Sequence, residues 1–92
     1  MPTEPLRVAF GKALKEQRLA RGLTQDELAK RADMHRSYIS GVETGCRNVS
    51  MGIVEALARC LEVSPAIFFR GVRYESSPEG KQNPFGKNAG GM

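Results

Sequence analysis

One histidine and two cysteines are all that this sequence of 92 residues offers a transition metal. His35, Cys46 and Cys60 form no CxxC pair and include no second imidazole, so no zinc ligand set is expected. Cys46 and Cys60 read as reduced thiols, with an intersubunit disulfide as the alternative. Equally missing are a G-x-S-x-G stretch and a glycine-rich phosphate loop. The carboxylates Asp26, Glu27 and Glu43 read as cap and surface residues rather than as a catalytic pair. Neither an enzyme nor a cofactor nor a bound metal is expected. No apolar run reaches the roughly 18 residues of a membrane span. The opening "MPTEPLRVAF" lacks the charged segment and long apolar stretch of a signal peptide, and a cytoplasmic location is the expectation. Strand-like alternation is absent before Arg73, which points to an all-α core.

Hydrophobic residues make up 40% of the chain, and the net charge is +4 with a pI near 9.4. This length predicts one domain whose core is marginal alone, so pairing with a second copy would help it. A mildly basic balance favours an anionic partner, but only the placement of the charges identifies one.

Five helices are expected. In 6–21, Leu6, Phe10, Ala13, Leu14 and Gln17 share a face, and Gly22 is a natural left-handed C′ residue. Thr24 with Glu27 forms a capping box for a second helix whose apolar face is Leu28, Ala29 and Ala32. The third runs from about His35 to Thr44 over Tyr38, Ile39 and Val42 and ends at Gly45. Ser50 caps a fourth, 51–61, with Met51, Val54, Leu57, Ala58 and Leu61 inward, and Ser64-Pro65 starts a short fifth, "AIFF". The domain is predicted over 1–75. From Ser76 the chain turns rich in glycine and proline and poor in apolar residues, so 76–92 reads as a flexible tail with Phe85 as its lone aromatic.

Two short helices joined by a tight turn, with the small Ala29 at their crossing, make 24–45 a helix-turn-helix. Its second helix carries His35, Arg36, Ser37, Ser40, Gly41 and Thr44 outward, with Tyr38 at the edge. A helix that only covered a core would be expected to show Lys, Glu and Ala there. The strings "LTQDELAKRA", "YISGVETG", "RN" and "LEVSPAIFF" resemble the Cro/C1-type helix-turn-helix regulators, often called the Xre family, over Leu6 to Phe69. Within it, "RSYISGVETGCRNVS" followed by "LEVSPAIFF" is most similar to the controller proteins of restriction–modification systems. The chain departs from the pattern at Asp33, where the turn usually has Gly, and at His35, where Ser, Thr or Asp usually caps.

The resemblance implies a five-helix lambda-repressor-like DNA-binding domain acting as a sequence-specific transcriptional regulator on double-stranded DNA. A major groove admits one helix, and the helix's N-terminal residues reach base edges. Base contact is therefore expected from Arg36, Ser37, Tyr38, His35, Ser40 and Gly41. Arg36 matches guanine O6 and N7. Tyr38 is equally open to partial burial and His35 to mere exposure. Gly41 reads either as room for a close base or groove wall, or as simple tolerance. Backbone contact is expected from Gln25, which matches the family's phosphate-binding glutamine, and from Thr24, Arg47, Asn48 and Arg18; Arg18 and Arg21 are alternatively partners for their helix's dipole.

One recognition helix reads too few base pairs for a genome, so a two-fold homodimer is expected, with Ile67, Pro65 and Phe68 at its interface. Ile67 falls where related regulators often carry a charge; a lone surface Ile is the alternative. RNA polymerase is a further candidate partner. A reading from another class is an antitoxin-like protein-binding module with DNA contact secondary.

Overall fold

The protein, described here from a computed structural model over residues 4–72, builds its helices in the predicted order, but the last is not an α-helix. The four α-helices are α1 (Leu6–Ala20), α2 (Gln25–Ala32), α3 (Arg36–Glu43) and α4 (Met51–Leu61). Pro65–Phe69 forms a single 3-10 turn, so the expected five helices become four and a turn. Five residues beginning with a proline, which has no N–H to give, are too few for a regular α-helix. Ile67 N–H closes on Ser64 O at 3.0 Å, and the Ser64 hydroxyl accepts from Ala66 N–H at 3.3 Å. The expected tail 76–92, with Phe85, lies outside the described residues. No described helix is long and apolar enough to cross a membrane.

The stops and starts follow the sequence. Thr24 Oγ1 accepts from Glu27 N–H at 3.0 Å while Glu27 Oε1 accepts from Thr24 N–H at 2.8 Å, completing the capping box. Ser50 caps α4 by accepting from Ile53 N–H at 3.2 Å. Asp33 adopts the left-handed backbone that its place in the turn requires, with φ 58°. Asp enters that region more readily than most residues, because its short polar side chain can bond locally.

Phe10, Leu14, Leu28, Ile39, Leu57, Leu61 and Phe68 form the centre of the core, with Ala29 buried at the α2–α3 crossing. The Phe68 ring lies 4.9 Å from that of Phe10, tilted by 55°, in the geometry aromatic pairs favour. Phe68 is 1% exposed, which corrects its assignment to a dimer interface: its apolar area is already spent inside the monomer. Two other expectations change. Leu6 is 44% and Met51 81% exposed, since each opens its helix and lies beyond the elements that would cover it. These contacts stack α1 across α3 and the 3-10 turn, and α2 across α3 and α4, leaving the outer side of α3 uncovered.

Candidate nucleic-acid interface

The outer side of α3 is presented on a rigid base. Arg18, from the last turn of α1, and Glu43, at the end of α3, are buried together, 6% and 8% exposed. Arg18 Nε donates to Glu43 Oε2 at 2.6 Å and its Nη2 to Oε1 at 2.9 Å, a two-pronged bridge. Its Nη1 donates to Leu23 O at 2.7 Å. Gln25 Nε2 donates to the same Glu43 Oε1 at 3.1 Å. Glu43 thereby ties the end of α3 to α1 and to the start of α2, and Arg18 adds the α1–α2 turn through Leu23. The Glu43 hydrogen bonds, aided by its charge, hold the Arg18 guanidinium above its ordinary pKa against the opposing effect of burial.

Two sequence expectations are corrected here. Arg18 is expected on the DNA flank, but its guanidinium is buried with each of its three nitrogens donating to a protein oxygen, which suits it to positioning the reading surface. Glu43, expected at the surface, is with Arg18 one of two buried charged residues among the described residues. Sequence reasoning missed this pair, although both residues carry a signal: Arg18 continues the stripe Phe10–Leu14 at a four-residue step, and Glu43 stands four residues after Ile39.

Above this base stand the other predicted residues. Arg36 and Ser37 are exposed on the first turn of α3, with no side-chain partner among the described residues. His35 is also exposed and, as the residue before the helix, makes no side-chain cap. Ser40 is half-buried, and its carbonyl accepts from the Thr44 hydroxyl at 3.1 Å. Tyr38 is half-buried too, and its hydroxyl donates to Asn48 O at 3.2 Å, which ties the loop after α3 back to the helix. Thr24 is taken up in its capping box. Gln25 keeps one amide proton and its carbonyl after the bond to Glu43.

Gly41 has a reason that neither sequence reading contained. A Cβ there would stand 2.7 Å from Arg47 Cγ. The Arg47 stem thus lies across α3 at Gly41, and its guanidinium sits 5.9 Å from the centre of the Tyr38 ring, within cation–π range. Cys46 N–H donating to Gly41 O at 2.8 Å fixes the start of the same loop. Arg36, Ser37 and Arg47, with Asn48 exposed beside them, are therefore brought to one side of the molecule. Arg18 and Phe68 are not.

The helix-turn-helix family model (HTH_3) matches residues 14–68, more than half of the chain and the whole of the capped α2–turn–α3 unit. The chain belongs to the helix-turn-helix family, of the Cro/C1 type. Among relatives of this helix-turn-helix protein, the control protein C.BamHI of Bacillus amyloliquefaciens is 39% identical over 64 residues, covering 68% of this chain and 79% of the relative. The restriction–modification controller protein C.AhdI of Aeromonas hydrophila has a solved structure that superposes with TM-score 0.67 at 44% identity, covering 68% of this chain and 96% of that one. The controller protein C.Esp1396I, solved as a tetramer with its natural 35 base-pair operator, superposes with TM-score 0.65 at 36% identity over 72% of this chain and 87% of that one.

Proposed function

We propose that this helix-turn-helix protein is a cytoplasmic transcriptional regulator that binds a near-palindromic operator in double-stranded DNA as a homodimer. The observation that carries the reading is the unspent hydrogen-bonding capacity of Arg36 and Ser37 at the exposed start of a helix whose far end is clamped by the Arg18–Glu43–Gln25 network. The helix backbone is already ordered by that network, so binding costs the ordering of the Arg36 and Ser37 side chains but not of the helix that carries them. Arg36 offers a planar fork suited to guanine, while Ser37 and Ser40 are short, Tyr38 is partly engaged by Asn48 and His35 stands exposed at the helix start, and these set orientation more than identity. Gln25, Arg47, Asn48 and Thr24 flank it as backbone contacts. The relative solved with its operator supports this reading.

Arg36→Ala is expected to remove about 1–3 kcal/mol of discrimination at one base pair of each half-site. Arg47→Ala is expected to weaken operator and random duplex by similar factors, because a phosphate contact carries no sequence information. Titration of both variants against an operator and a scrambled duplex checks this. An Arg36→Ala protein that loses the same factor on both duplexes would remove Arg36 from base reading.

The dimer surface is assigned to the 3-10 turn. Pro65 and Ala66 are exposed and Ile67 half-exposed beside them. Ile67 lies on a groove of about 470 Å³ between α1 and the turn whose lining is mixed, apolar at Ala9, Ala13 and Val72 and charged at Lys12, Glu16 and Arg70; a second copy packed on Pro65, Ala66 and Ile67 would cover its apolar side. Recognition helices in such a pair stand about 34 Å apart, one DNA turn. Ile67→Asp should place a charge in that contact and shift the protein to monomer at micromolar concentration, with operator affinity falling alongside. Sedimentation, with a melt to verify folding, decides it: a folded Ile67→Asp protein that still dimerises rules this surface out.

A further inference from the structure

Arg7 is a residue that neither the periodicity of α1 nor the helix-turn-helix pattern singles out. It lies on the first turn of α1, one turn before Gly11. Its Nε donates to Gly45 O at 2.7 Å. Gly45 follows the recognition helix directly and has φ 79°, and Val8 packs against it, with Cγ2 within 2.7 Å of where a Cβ on Gly45 would stand. The start of α1 and the start of the loop that carries Arg47 and Asn48 are therefore one wall.

The bond to Gly45 uses only one corner of the guanidinium. Nη1 and Nη2 have no partner among the described residues, and Arg7 is exposed. Among the other described cations of α1, Lys12 is paired with Glu4 at 3.0 Å and Arg18 with Glu43 at 2.6 Å, and just past the helix Arg21 is paired with Glu62 at 3.5 Å; Lys15 stands on the helix without a comparable anchor. A guanidinium held by Nε and open at both Nη atoms is set up to receive two oxygens of one tetrahedral anion. Lysine could supply the charge there but not both bonds at once.

We propose that Arg7 is a further DNA-backbone residue: the Gly45 carbonyl aims its free nitrogens at a phosphate on the flank of the half-site, beyond the Arg47 contact. This rests on the reading of α3 as a recognition helix. Its role differs from that of Arg36. It adds affinity and fixes register, and it reads no base.

The test is the salt dependence of duplex binding by the full chain, for wild type, Arg7→Ala, Arg7→Gln and Arg7→Lys, on an operator and a scrambled duplex. Gln can still donate to Gly45 O without a charge, which separates clamping the loop from meeting a phosphate. A phosphate contact predicts that the slope of log affinity against log salt flattens by about 0.9 for each Arg7 lost, in Arg7→Gln as in Arg7→Ala. It also predicts that operator and scrambled duplex weaken by the same factor, and that Arg7→Lys keeps the wild-type slope. Should Arg7→Ala fail to fold, Arg7→Gln alone carries the comparison. Wild-type slope in a folded Arg7→Gln protein overturns the phosphate role and leaves the DNA reading standing. A wild type that does not bind duplex at all overturns both.

Discussion

Glu43→Ala should destabilise the fold by about 3–5 kcal/mol, the usual cost of removing one member of a buried ion pair. The cost arises from what remains. Arg18 Nε and Nη2 would lose both acceptors while staying inside the protein, and Gln25 Nε2 would lose its partner as well. An uncompensated guanidinium at 6% exposure has no water to turn to. For a domain this small, whose total stability is only about 5–15 kcal/mol, much of the population would unfold near physiological temperature. Replacing both partners with apolar residues, as in Arg18→Met with Glu43→Leu, should be far milder than either single change, because the desolvation penalty disappears together with the bond. Its residual cost is the Leu23 carbonyl and the Gln25 amide left without partners. Urea denaturation followed by circular dichroism measures all three. A Glu43→Ala protein within 1 kcal/mol of wild type would show the bridge to be dispensable. The double variant also separates stability from function: it should fold yet bind duplex more weakly, since Gln25 is no longer held at the entrance to α2.

Much of this architecture is legible in one dimension because it depends on neighbours a few residues apart. The capping box at Thr24 and the cap at Ser50 are local devices that the sequence spacing predicts, and the special turn position at Asp33 follows from the family resemblance, whose pattern usually has Gly there. The helix-turn-helix follows from the same local signals, together with Ala29. Three features were not legible from spacing, because each depends on which side chains the fold brings into contact. Glu43 looks like a surface carboxylate until Arg18 is placed opposite it, 25 positions away. Arg18 in turn looks like an exposed terminal cation until the stripe through Phe10 and Leu14 is followed one step further. Gly41, open in the sequence between room for DNA and simple tolerance, also gives way to the Arg47 stem lying on it. The fifth element was legible as a helix start but not as a 3-10 turn, because Ser64-Pro65 announces where helical structure begins and not how far it runs. At the reading surface, residue type identifies the Arg36 fork directly; what holds the helix that carries it, a buried bridge at the far end of α3, is a tertiary fact.

Gly11→Ala should destabilise the protein by about 2–3 kcal/mol or more, although the same change in an open helix normally stabilises by up to about 1 kcal/mol. Gly11 is buried in the middle of α1, where that helix crosses the end of α3. A Cβ placed on it would run into the Val42 carbonyl oxygen and stand only 2.7 Å from that of Glu43. Non-bonded heavy atoms are at ease near 3.5–4.0 Å, so one backbone must give way. Neither gives easily. The α1 backbone is held by Phe10 and Leu14 in the core on either side, and the α3 end is held by Glu43 on Arg18. Moving the two helices apart would lengthen that bridge and loosen the loop that begins at Gly45, so operator affinity should fall further than the loss of folded protein explains. Gly52, in α4, provides the internal control. A Cβ there would find nothing nearer than Ser50 Oγ at 3.7 Å, and Gly52→Ala should therefore stabilise, by a few tenths to about 1 kcal/mol. The two alanine variants are predicted to move the melting temperature in opposite directions. A Gly11→Ala protein that melts at or above the wild type would show that α1 and α3 do not approach this closely in solution.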